Sequence, residues 1–114
     1  MDDRPLDFDA CTSYFGGDHA VMLAALEQML DILPKDCLSM QRDIDEGQYH
    51  SAAIVAHRLA GTLDMVGATA LSNECRLLSR HLDTSEIVAR RTLVQVEAGI
   101  MKVMAQIHSY LHRH

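Results

Sequence analysis

Apolar residues recur at steps of three and four along most of the chain, which is the spacing of one face of an α-helix. The first long stretch continues through Leu38 and Ile44 to Gly47, and Pro34 within it is expected to kink or restart the helix because proline lacks a backbone donor. Its apolar stripe is Val21, Leu23, Leu26, Leu30 and Leu33. The last stretch is long and amphipathic, with Leu93, Val96, Ile100, Val103, Ile107 and Leu111 on one face.

Glycines and short polar segments separate the helical patterns. Gly16-Gly17 ends a short first helix near Phe15, and Asp18 is suited to cap the next one. Gly47 and Gly67 are suited to end the second and third helices, and Asp83-Thr84-Ser85-Glu86 reads as a capping box with Asp83 at the cap. The chain is therefore predicted to be all-α: an antiparallel four-helix bundle with a short additional N-terminal helix, forming a single domain over residues 1–114.

The composition supports helices and narrows the function classes. Hydrophobic residues make up 48% of the chain but aromatic residues only 4%, with no Trp, so the core is expected to consist of Leu, Ile, Val, Met and Ala. The net charge of -6 provides no positive field for a phosphate backbone, so a nucleic-acid partner is not expected. The apolar runs are short and interrupted by charges, which predicts no membrane segment and, by default, a cytoplasmic location.

The cysteines and most histidines show no metal-binding pattern. Cys11, Cys37 and Cys75 are far apart and form no C-x-x-C pair, so reduced and mostly buried thiols are expected. His108 and His112 share a helix face, but the only further ligand nearby is His114 at a fraying end. No metal site and no cofactor of its own are therefore predicted.

The third helix, predicted from Tyr49 to Val66, has one fully apolar face and one unusual face. The apolar face consists of Ala52, Val55, Ala56, Leu59, Leu63 and Val66. The opposite face carries His57 at its centre, together with His50, Ala53, Ile54, Ala60, Gly61 and Asp64. We predict that the second face is exposed and that the imidazole of His57 projects from its middle.

Small residues surround His57 where a solvated helix would normally carry long polar side chains. Gly61 costs about 1 kcal/mol relative to Ala in a helix interior, so its place one turn after His57 requires a reason. Close approach of another protein would supply one. A neutral imidazole is a competent nucleophile, and the chain has no Gly-rich phosphate loop or carboxylate cluster of its own. Any phosphoryl-transfer machinery would therefore belong to a partner.

The run Ala56-His57-Arg58-Leu59-Ala60-Gly61-Thr62, followed by Gly67-Ala68, Leu71 and Cys75 to Leu78, resembles the signature of histidine-containing phosphotransfer domains. The order of a short helix followed by four longer ones also fits that family. The resemblance implies that His57 accepts a phosphoryl group from a receiver-domain aspartate and passes it to another receiver. It further implies a covalent carrier without autonomous turnover, with Mg2+ held by the receiver.

The resemblance also implies the partners and the docking surface. Response-regulator receiver domains and a hybrid sensor histidine kinase are the expected partners, and Gly61 is the expected clearance residue. The docking surface is expected to include His50, Ala53, Ile54, Arg58, Ala60, Gly61 and Asp64. A monomer is expected because no second apolar stripe is apparent.

One departure from the family pattern keeps an alternative open. The lysine that the family often places three residues after the histidine is Ala60 here, and Arg58 points about 100 degrees away from His57 on the helix. The alternative is a module that binds and regulates a receiver domain or sensor kinase without accepting phosphate. A kinase dimerisation domain fits less well, because such domains typically follow the histidine with an acidic residue and an Arg-Thr-Pro-like segment, whereas Arg58-Leu59-Ala60 follows here. No ATP-binding motif is present, so autophosphorylation is not expected, and a hydrolase with His57 as general base lacks an evident second polar group.

Overall fold

Residues 6–114, which the computed structural model describes, form five α-helices and no β-strand. The short helix α1 (Phe8–Cys11) is followed by a 3-10 turn over Thr12–Phe15. The four long helices are α2 (His19–Asp45), α3 (Tyr49–Asp64), α4 (Thr69–His81) and α5 (Glu86–Arg113). Each packs against the next, and α5 packs back against α2, which closes the bundle. The predicted fold class is confirmed. The predicted single domain also includes residues 1–5, which lie outside the described residues.

The helix boundaries mostly follow the predicted caps. Asp18 accepts a hydrogen bond from the backbone amide of Val21 at 3.2 Å, as a capping carboxylate does. Gly47 and Gly67 both adopt the left-handed conformation, with φ of 74°, that favours glycine after a helix. Helix α3 ends at Asp64, two residues before the predicted Val66, and a turn follows.

The structure corrects two local predictions. Helix α2 is continuous through Pro34 and does not restart there, so of the two outcomes only a kink stays a prediction. Buried side chains lie on both sides of Pro34, among them Leu33 and Met40, and they belong to one core. The cap of α5 is Ser85, whose hydroxyl accepts from the Val88 amide, because the helix begins two residues later than an Asp83 cap requires. The carboxylate of Asp83 is thereby left free of the capping role.

The buried face of α2 includes methionines that are not part of the apolar stripe predicted from the sequence. The fully buried line includes Met22, Leu26, Met29, Leu33 and Met40, whereas Val21 is 49% exposed. A thioether side chain is apolar and flexible, so it fills the core as leucine does. The predicted stripe is therefore rotated slightly from the face that is buried in the structure. Leu26 and Leu33 belong to both the predicted stripe and the buried face.

None of the helices in residues 6–114 combines the length and apolarity that a membrane crossing requires.

Helix α5 carries a second row of apolar side chains on its exposed side. Ile87, Val94 and Met101 are 69%, 67% and 71% exposed and lie seven residues apart. The absence of a second apolar stripe therefore no longer supports the expected monomer, which stays a prediction.

The cysteines form no disulfide with one another. Cys75 is buried, and burial raises the pKa of its thiol to about 12, while Cys11 and Cys37 are half-buried. Burial likewise raises the pKa of Cys37 to about 11. These thiols are poor nucleophiles at neutral pH because the reactive thiolate is scarcely populated.

The contact between α4 and α5 gives the first test. A β-carbon at Gly99 would lie 2.6 Å from Leu71 Cδ1 and within 3.4 Å of two further atoms of that side chain. We expect Gly99→Val to lower the free energy of unfolding by about 1–3 kcal/mol, because the buried Leu71 must move. Urea unfolding measures this, and the exposed Ala98→Val is the control, since it costs only helix propensity, about 0.5 kcal/mol. Equal losses in both variants would contradict close packing at Gly99.

Candidate phosphotransfer site

Helix α3 presents His57 because its opposite face is buried. The side chains of Ala52, Val55, Ala56, Leu59 and Leu63 are all at most 5% exposed, and Val66 just beyond the helix is 1% exposed. Every predicted core residue of this helix is therefore confirmed. A helix buried along one side must turn the other side to solvent, and His57 is exposed there.

His57 lies in an open groove between α3 and its neighbours. The groove has a volume of about 560 Å³ and is lined by His50, Ala53, Ile54, His57, Arg58, Ser79 and Asp83. Across residues 6–114, the His57 imidazole makes no hydrogen bond and no ion pair. Both ring nitrogens are thus available to an incoming group.

The α2 side of the site is closed by an ion pair. The guanidinium of Arg58 donates from Nε to Asp36 Oδ2 at 3.2 Å and from Nη2 to Asp36 Oδ1 at 2.8 Å. The Asp36 side chain is 12% exposed and that of Arg58 is 55% exposed. Hydrogen bonding to Asp36, together with its charge, raises the pKa of Arg58. This bidentate pair fixes the register of α3 against α2 beside His57.

The α4 side is closed by a second set of polar contacts. Arg76 donates to the carboxylate of Asp64 and to the hydroxyl of Ser72. Hydrogen bonds from Ser72 and Arg76 lower the pKa of Asp64. Nearer to His57, the hydroxyl of Ser79 donates to the backbone carbonyl of Ala53 at 3.2 Å. Helix α4 is thus held along the flank of the exposed face of α3.

The predicted docking residues separate into three groups. His50, Ile54, Arg58 and Gly61 are exposed, with Ile54 at 53%. Ala53 and Asp64 are partly buried, Ala53 in the groove floor and Asp64 in its ion pair. The structure corrects the prediction for Ala60: this residue is fully buried and belongs to the hydrophobic core, so its side chain is not part of an exposed docking surface.

Nothing in residues 6–114 requires a glycine at position 61. A β-carbon there would meet nothing within 4 Å, unlike Gly99, which packs against Leu71. The helix therefore carries a destabilising residue without any internal close contact to require it. The sequence prediction that Gly61 gives clearance to another molecule fits this open space.

Four residues of the site were missed in the sequence. Ser79 and Asp83 line the groove from α4 and the turn after it, and Asp36 and Arg76 hold the flanking ion pairs. No local signal marks them, because their position depends on how antiparallel helices align. Asp83 in addition was interpreted as a helix cap.

Comparison with known proteins agrees with this arrangement. The family model of the Hpt domain matches residues 24–113. The chain belongs to the Hpt domain family. Hpt domains are phosphocarrier modules of two-component signalling, so the predicted membership is confirmed. The comparison with curated proteins finds no match.

A solved structure shows the same fold. The Hpt domain of an Hpt sensor hybrid histidine kinase from Shewanella superposes with a TM-score of 0.82 and 18% sequence identity. The match covers 96% of this chain and 95% of that one. The helical bundle with its short N-terminal helix is thus that of a known Hpt domain.

The lowered pKa of Asp64 predicts a dependence of stability on acid. The unfolded chain protonates Asp64 at a higher pH than the folded chain does, so its stabilisation is present above the ordinary pKa and is lost as pH falls through the folded value. We expect Asp64→Asn to have a shallower loss of stability below about pH 4 than the wild type. Urea midpoints at neutral pH and near pH 3 measure this, and parallel pH profiles for the two proteins would refute the assignment.

Proposed function

We propose that this Hpt domain carries a phosphoryl group on His57 between receiver domains. The observation that supports this most is the exposed imidazole without a partner in the described part of the chain, at an open groove on the face of α3. A buried structural histidine would be hydrogen-bonded to its surroundings, whereas His57 is exposed and lines the open groove. The position also matches the histidine of the family signature.

The transfer step is a displacement at phosphorus. The unprotonated ring nitrogen of His57 attacks the aspartyl phosphate of the first receiver, a P–N bond forms, and the P–O bond to the aspartate breaks. The electron pair leaves with the aspartate as a carboxylate, and the N–H proton on the other ring nitrogen of His57 passes to solvent. The second receiver reverses the step with its own aspartate, and Mg2+ held by the receiver balances the charge of the phosphoryl group.

The partners proposed are receiver domains of response regulators and of a hybrid sensor histidine kinase. The exposed Ile54 next to His57 and the clearance at Gly61 suit a protein surface that packs closely on α3. The monomeric state and cytoplasmic location expected from the sequence are kept within the proposal. As part of the proposal, the module is a covalent carrier without turnover of its own, since its groove offers an imidazole and the receiver is expected to supply the Mg2+.

A second function has an observation in its favour. Ala60 is buried and uncharged where the family often has a lysine, and Asp83 adds a carboxylate to the groove that would receive the phosphoryl group. Both features reduce the positive charge available to a phosphohistidine. They favour a module that binds and regulates a receiver or sensor kinase without being phosphorylated.

Labelling separates the two functions. A panel of receiver domains carrying radiolabelled aspartyl phosphate is mixed with the protein and Mg2+, and the product is tested for acid-labile, alkali-stable label. We expect label on the wild type, none on His57→Gln, and full label on the control His108→Gln, which alters an exposed histidine of α5. Binding of a receiver without label on any protein would establish the regulatory function instead.

The variant Gly61→Ala tests whether a receiver docks on this face of α3, without requiring phosphoryl transfer. We expect Gly61→Ala to raise the free energy of unfolding by up to about 1 kcal/mol, since the helix gains propensity and the β-carbon meets nothing. We expect the same variant to weaken receiver binding about tenfold, because the methyl group overlaps the partner. Urea unfolding and calorimetric binding measure the two effects.

The matched control for Gly61 is Ala105→Gly, the reverse change on the exposed side of α5. It should lose stability by a similar amount, about 1 kcal/mol, and leave receiver binding unchanged. Unaltered binding by Gly61→Ala would show that the partner does not approach this part of the helix.

A further inference from the structure

A phosphoryl group on His57 needs positive charge nearby. The group adds about -1.5 to -2 charges to a chain whose formal net charge is already -6. Ala60 contributes no charge and is fully buried in the core. The Asp83 carboxylate lines the same groove. The compensating cation must therefore come from another position.

Arg58 is placed to supply that charge. It lines the groove together with His57, and its side chain is 55% exposed. Two of its five N–H groups are used by Asp36, one on Nε and one on Nη2. The two N–H groups of Nη1 are left for an acceptor in the groove. Because Asp36 already orders the guanidinium, a further hydrogen bond costs less side-chain entropy.

Arg76, the arginine of the second flanking ion pair, is occupied elsewhere. Arg76 donates to Asp64, Ser72 and Asn73, and it is not among the residues that line the groove. Its contacts hold α4 against α3 near the end of α3, two turns beyond His57. Arg58 is thus the guanidinium that borders the groove.

We propose that Arg58, held in place by Asp36, is the charge-compensating residue for a phosphoryl group on His57. This inference rests on the proposed function and adds a residue to it. The positive charge then comes from Arg58, which is held toward α2, and not from position 60, where the family often has a lysine. Asp36 is the positioning residue, since it acts only through Arg58.

The test measures the pKa of the phosphoryl group on His57 by phosphorus-31 magnetic resonance. The protein is phosphorylated with phosphoramidate, which requires no receiver, and the phosphorus-31 signal that is absent from His57→Gln is followed from about pH 6 to about pH 9. A neighbouring cation favours the dianion and lowers the phosphoryl pKa. We expect Arg58→Gln to raise that pKa by about 0.5 unit or more, with Arg58→Lys in between.

Two controls test whether a change in the phosphoryl pKa comes from a disturbed structure instead of from the lost charge of Arg58. Arg90→Gln breaks the ion pairs of Arg90 with Asp45 and Glu86, none of which lines the groove, and should leave the phosphoryl pKa unchanged. Arg58→Gln leaves the nearly buried Asp36 without its partner, whereas Asp36→Asn combined with Arg58→Gln removes that unpaired charge. The double variant should regain stability in urea and still show the raised phosphoryl pKa.

The outcomes distinguish this inference from the function on which it rests. A phosphoryl pKa that is the same in the wild type, Arg58→Gln and the double variant overturns the role of Arg58, as does the lack of any signal that depends on His57. Receivers that bind but label no protein overturn the proposed function. A raised pKa in both Arg58 variants, with Arg90→Gln at the wild-type value, establishes the inference.

Discussion

The close burial of one face of α3 is the constraint on which the site depends. Ala52, Ala56 and Ala60 are fully buried at intervals of four residues, and small side chains on such a row let neighbouring helices approach closely. The larger Leu59 and Leu63 fill the space toward the core. A rotation of α3 would bury polar groups and expose these side chains, so the packing of its inner face holds His57 outward.

Two cross-helix ion pairs then set the alignment around that face. Arg58 with Asp36 ties α3 to α2, and Asp64 with Arg76 ties α3 to α4. Exposed ion pairs contribute little to stability, typically below about 1 kcal/mol, so their main physical effect here is geometric. The arginine and the carboxylate that flank His57 along α3 are each turned sideways toward a neighbouring helix. The space directly above the imidazole is left open.

The exposed face of α3 around His57 also carries residues that lower the stability of the fold. Gly61 lies on the exposed face without a contact that would require a glycine, and Ile54 stays 53% exposed beside the histidine. Elsewhere the bundle follows the usual rules: side chains cap α1, α2 and α5, and glycines close the turns. Departures from those rules that cluster around one exposed side chain are typical of a binding site.

Much of the fold and the central residue followed from the sequence. Helical periodicity depends on spacing alone, so it located the long helices, the buried face of α3 and the outward position of His57. The caps at Asp18 and Gly67 also depend on local chemistry and were found in the sequence. The signature around His57 was equally local, and the match of the Hpt domain family confirmed the family membership that it implied.

The tertiary structure alone decided how the helices align and which side of α3 each neighbour covers. That alignment buried Ala60, brought Asp36 to Arg58, and placed Ser79 and Asp83 in the groove that His57 lines. These contacts join residues far apart in the chain, and spacing along a single helix contains no information about them. The exposed histidine was therefore visible in the sequence, whereas its electrostatic surroundings required the packed bundle.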